Sequence, residues 1–142
     1  MPIVAKLIFS VLAAVTVIVP TIADLNATHL TNPRWPPHAR FHAAVLYLGT
    51  TLLNLGVLYL LWGSYPGQDS TLVAWIAAWG PLSFWGMFLP ALCFPGVSTW
   101  PDGITPPANF PVILTKIHPN VILALLVTLF SVVALVLALS AG

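Results

Sequence analysis

The residues able to do chemistry in this chain are few and crowded. The whole sequence holds 3 acidic residues, 4 lysines and arginines and 4 histidines. Asp24, Asn26, His29, Arg34, His38, Arg40 and His42 fall within one short segment, 24–42. An unpaired carboxylate near a bilayer edge is costly and finds a cation or a proton, so Arg40 is the expected partner of Asp24. Histidine titrates near neutral pH, so such a cluster can hold both a proton donor and a proton acceptor. His38 and His42 are spaced i, i+4 and share one helix face. Asp24, Asn26, His29, His38, Arg40 and His42 are therefore the candidate catalytic residues.

Composition fixes the setting of this chemistry. Of 142 residues, 59% are hydrophobic and 5% charged, against about 25% charged in a soluble domain, so the apolar excess faces lipid as well as a core. Four cations are too few to track a phosphate backbone, which excludes nucleic acid as a partner. The single Cys93 allows no internal disulfide, CxxC pair or Cys-rich zinc site.

A helix rises 1.5 Å per residue, and about 20 residues cross the hydrocarbon of a bilayer. Four apolar stretches reach that length, at about 3–22, 41–62, 71–94 and 112–139. In lipid the backbone must bond to itself, so the expected fold is all-α, a single transmembrane four-helix bundle. The first stretch also satisfies a signal peptide, with Lys6, an apolar run and small residues near Ala23; retention as a span is expected from its length. Turn residues mark 63–70, and prolines crowd 94–111. Gly80-Pro81 predicts a kink in the third span, and Ala74, Ala77 and Ala78 allow a neighbouring helix to approach closely.

Four crossings put the first and third loops on one side of the bilayer. All four histidines, together with Asp24, Arg34, Arg40, Asp102 and Lys116, then gather there, leaving Lys6 and Asp69 opposite. The cation count weakly places the clustered side in the cytosol. Tyr47, Thr50 and Asn54 form a polar stripe on the second helix, which serves either interhelical hydrogen bonding or a ligand. Trp35, Tyr47, Asn54, Asp102 and His118 are the candidate substrate-binding residues.

Other readings stay open. The tryptophans and basic residues also suit interfacial anchoring, Asp102 suits a solvated turn, and Asn26-Ala27-Thr28 is a glycosylation sequon by pattern. His29, His38 and His42 could together hold zinc, but the absence of HExxH and of any glutamate weighs against it; no metal and no cofactor is expected.

The segment 24–42, with its Asn32-Pro33-Arg34-Trp35-Pro36-Pro37-His38-Ala39-Arg40-Phe41-His42 core, resembles the small four-span membrane proteins of fungal biosynthetic clusters. Among these are the epoxide hydrolases of the aurovertin, citreoviridin and asteltoxin type. The resemblance implies opening of an epoxide, by hydrolysis or cyclisation, on a polyene polyketide in the endoplasmic reticulum membrane, alongside a flavin-dependent epoxidase. It transfers no residue roles; acid–base chemistry alone makes Asp24 the base, with Arg40 holding it ionised, Asn26 orienting water and His38 or His42 giving the proton. A membrane isomerase or terpene cyclase would use the same groups, and a non-catalytic lipid- or sterol-binding protein is the rival of another class.

Overall fold

A computed structural model of the chain describes residues 1–99 and 118–141. Asp102, Trp100, Lys116 and the first residues of the fourth expected span lie outside the described residues. Among those described are five helices and no strand: α1 (Ile3–Asp24), α2 (Pro37–Trp62), α3 (Ser70–Trp85), α4 (Phe88–Ala91) and α5 (Pro119–Leu139). Four stretches are long and apolar enough to cross a membrane: Ile3–Asp24, Pro37–Trp62, Ser70–Ala91 and Pro119–Leu139. The fold is the all-α, four-span bundle expected.

Three helix starts carry their own signal. Pro37 opens α2, where a missing N–H costs nothing and the ring presets the helical φ. Asp69 caps α3, accepting from the Thr71 and Leu72 amides at 2.8 and 3.3 Å. His118 caps α5 through its ring, ahead of Pro119. Between α2 and α3, Gly67 takes a positive φ of 73° behind Pro66, a turn conformation that glycine adopts without a Cβ clash.

Packing follows small residues. α1 contacts α2, α3 and α5, and α3 contacts α2 and α5. Ala74, Ala77 and Ala78 are buried on α3, in one core cluster with Ala5, Phe9 and Ala13 of α1 and Ala134 and Ala138 of α5, while Gly80 meets Val57 and Asn54 of α2. Because lipid tails are as apolar as leucine, close approach and hydrogen bonds drive this association more than hydrophobic burial does. Large side chains such as Val11, Leu52 and Val136 point outward, as a lipid-immersed bundle requires.

The boundaries differ from expectation in three instructive places. α2 starts at Pro37 instead of about 41, which puts His38, Arg40 and His42 on its first turns. α1 runs to Asp24, so this carboxylate stands on a helix end. The third span keeps helical structure through Gly80-Pro81 and is interrupted at Gly86-Met87. There the Gly86 amide closes the last turn on Leu82 O, and the short α4 follows. Trp85 also departs from the interfacial-anchor reading: it is 2% exposed, and its indole N–H donates to Thr16 Oγ1 at 3.0 Å.

Candidate functional site

The end of α1, the start of α2, the end of α3 and the start of α5 meet at one end of the bundle and enclose a cavity of about 410 Å³. Its polar lining includes Asp24, His29, His118 and Asn120, and its walls are Leu46, Phe84, Met87, Phe88 and Val121. A smaller hollow of about 130 Å³ shares Asp24 and His29 and adds Trp35 and Tyr47. An apolar chamber with a few converging polar groups has the make-up of a small-molecule site.

The loop after α1 sets the orientation of His29. Asn26 Nδ2 donates to the carbonyls of Ile22 and Ala23 at 3.0 and 2.8 Å, satisfying orphan acceptors at the helix end. This fixes Oδ1 as the acceptor, and it receives the Thr28 amide at 2.8 Å and the Thr28 hydroxyl at 2.6 Å. With its single proton committed, Thr28 Oγ1 can only accept from His29 Nδ1, 2.7 Å away. In the neutral ring, the network thus assigns the Nδ1–H tautomer to His29 and leaves its Nε2 with a lone pair. The His29 ring also meets Trp35 edge-on, with centroids 5.7 Å apart.

His118 has the opposite tautomer. Its Nδ1 accepts from the Asn120 amide at 3.2 Å, so in the neutral ring the proton is on Nε2. Burial pushes the His118 pKa below its ordinary 6.5, and repulsion from His29 adds to the fall. His29 is also the ionic neighbour of Asp24. One cavity therefore collects a carboxylate, an imidazole with a lone pair at Nε2 and an imidazole with a proton at Nε2.

The other candidates are placed as follows. Asp24, His29 and His118 line the cavity; Trp35 and Tyr47 line its annex, where Tyr47 OH bonds Thr21 Oγ1 at 2.9 Å. Asn26 acts one step removed, through Thr28. Arg40 makes no ion pair with Asp24: it sits in the first turn of α2, where its amide bonds Pro36 O. The expected partnership fails: Arg40 stands in the first turn of α2 and is not among the residues lining the cavity that holds Asp24. His38 and His42 are exposed and bond each other, Nε2 to Nε2, at 3.0 Å, outside the cavity. His29 does not join them, and among the described residues no group of three or more His, Cys, Asp or Glu is arranged to hold a metal.

Asn54 is wholly buried against α3, where its Nδ2 donates to Thr50 O and Gly80 O at 2.9 and 3.4 Å. It joins two helices and lines neither hollow described above, as interhelical hydrogen bonding requires. Asn26 of the sequon has its amide engaged with the α1 terminus, which gives that tripeptide a structural use. Sequence reading missed Thr28 and the walls Leu46, Phe84, Met87 and Phe88. An Asn-x-Thr behind a helix end signals the turn that holds Thr28, whereas nothing local marks the wall residues.

No curated protein and no solved structure matches the chain. One family does, described as a family of unknown function, DUF6640, over residues 8–139. That match takes in three spans whole, the first from residue 8 on, and every described residue lining the cavity, and the chain belongs to this family.

Proposed function

We propose that this protein is a membrane-embedded enzyme that opens an epoxide on an apolar, polyketide-like small molecule by acid–base catalysis. The observation that supports the reading is the pairing of opposed imidazole tautomers, His29 and His118, with Asp24 around one apolar-walled cavity.

The step balances with these groups alone. Water attacks one epoxide carbon and its proton goes to His29 Nε2; the Asp24 carboxylate stabilises the imidazolium, as an acid does beside a catalytic histidine. As the carbon–oxygen bond breaks, the ring oxygen takes the electron pair and accepts a hydrogen bond from His118 Nε2–H. The His29 imidazolium then returns its proton to that oxygen, giving a vicinal diol and restoring both rings. A substrate hydroxyl in place of water gives cyclisation by the same moves. An epoxide arises from an oxidising step, and the resemblance drawn from segment 24–42 implies a flavin-dependent epoxidase of the endoplasmic reticulum membrane as the partner.

Asp24→Asn, His29→Gln and His118→Ala, assayed in microsomes on an epoxidised polyene in heavy-oxygen water, should each lower turnover by about 10²- to 10⁴-fold at unchanged protein level. Heavy oxygen in the product marks hydrolysis, and its absence from a turned-over product marks cyclisation or isomerisation. Wild-type turnover in all three variants would dismiss the assignment.

A further inference from the structure

Next to the polar cavity lies a second hollow of about 440 Å³ between α2 and α3, lined by Leu53, Ile76, Trp79, Leu82, Ser83 and Met87. Ser83 and Met87 belong to the linings of both, so the two spaces adjoin across this pair. Leu46 of the cavity and Leu53 of the groove stand seven residues apart on α2, as do Ser83 and Ile76 on α3. Each step is about 10 Å of helix rise, directed from the polar end of the bundle toward its middle.

The groove has a firm floor and an open rim. Ile76 and Leu82 pack on the buried core, while Leu53, Trp79 and Met87 are 39%, 66% and 55% exposed on a face that meets acyl chains. Ser83, the one hydroxyl at the junction, donates to Gly80 O at 2.7 Å, so the passage between the two spaces is apolar.

We propose that cavity and groove form one binding site for an extended apolar molecule, which enters from the bilayer between α2 and α3, with its polar reactive group at Asp24, His29 and His118 and its tail along Leu53, Ile76, Trp79 and Leu82. The identity of the reactive group rests on the acid–base reading above; the path and the tail site rest on the shared wall. Charge argues against a phospholipid as the occupant. Its phosphate would lie at the level of Asp24, and no Lys or Arg is among the described residues lining the cavity.

Two photoprobes test this on the full-length protein in vesicles: a long saturated chain ending in an epoxide, with a diazirine either beside the epoxide or at the far end. The near probe should label residues 84–88 and the far probe residues 53, 76, 79 or 82, and excess unlabelled chain epoxide should abolish both signals. Far-end labelling spread over the outward faces of α1 and α5, unaffected by competitor, would overturn the inference. So would labelling of the groove by a diazirine-bearing phospholipid that the epoxide does not displace. Expected labelling without turnover would sustain the binding site and sink the epoxide chemistry; turnover with misplaced labelling would do the reverse.

Discussion

His118 serves the fold and the site with different nitrogens. Its Nδ1 accepts from the Asn120 amide, and a proton there would end the cap of α5 while Nε2–H remained. Because its folded pKa is depressed below 6.5, the neutral ring contributes stability that is present above pH 6.5 and is lost as pH falls through the lower, folded value. The midpoint of thermal unfolding in detergent, followed from about pH 8 to about pH 5, should therefore fall on the acid side. His118→Asn keeps a capping acceptor without a proton to gain, and its profile should be flatter than that of the wild type over the same interval. An identical slope in the two proteins would remove His118 as the titrating group. Asn26 and Thr28 show the same economy, since the bonds that close the α1 terminus also decide which His29 nitrogen carries hydrogen.

α2 and α3 approach each other closely at Gly80. A Cβ at Gly80 would stand 2.8 Å from Val57 Cγ2 and 2.9 Å from Asn54 Oδ1, and Asn54 is held by its own bonds to Thr50 and Gly80. Neither neighbour is the free end of a flexible chain, so Gly80→Ala must part the two helices. A loss of about 1–3 kcal/mol in unfolding free energy, measured by denaturant titration in micelles, is expected from such overpacking. Gly49→Ala on α2, where a Cβ meets nothing within 4 Å, is the control and should be neutral or slightly stabilising. Equal stability of the two variants would refute the close packing. The same contact explains how Gly80-Pro81 sits inside continuous helix: Pro81 is buried and held by packing, so the lost backbone bond does not end α3. Turning instead at Gly86-Met87 brings Met87 and Phe88 beneath the site.

At the scale of the molecule, even-numbered crossing makes the two ends of the bundle unlike. The end opposite the cavity holds Lys6 over the Trp62 ring at 4.3 Å and the capping Asp69. The exposed Cys93, the only cysteine of the chain, follows α4 near the cavity end and so reports which way the site faces. With Arg34 and Arg40 near that end, the positive-inside rule predicts that it faces the cytosol. A membrane-impermeant maleimide should then label Cys93 in sealed, cytosol-side-out microsomes. Ser64→Cys in a Cys93→Ser background should label only after permeabilisation. The opposite pattern would invert the orientation, and labelling of both from one side would contradict the four crossings. The sequence by itself determined the number of spans, the lipid setting and the end where Asp24, His29 and His118 gather, because span length and hydropathy are local properties and parity of crossing does the rest. Only tertiary structure decided which of the gathered groups meet. Arg40, His38 and His42 lie far closer to Asp24 along the chain than His118 does, yet they stand on the first turns of α2 and do not line the cavity. His118, almost a hundred residues distant, closes the cavity because α5 packs on α1 and α3. Proximity along a chain constrains a side chain only within a turn or two; beyond that, helix packing sets its neighbours.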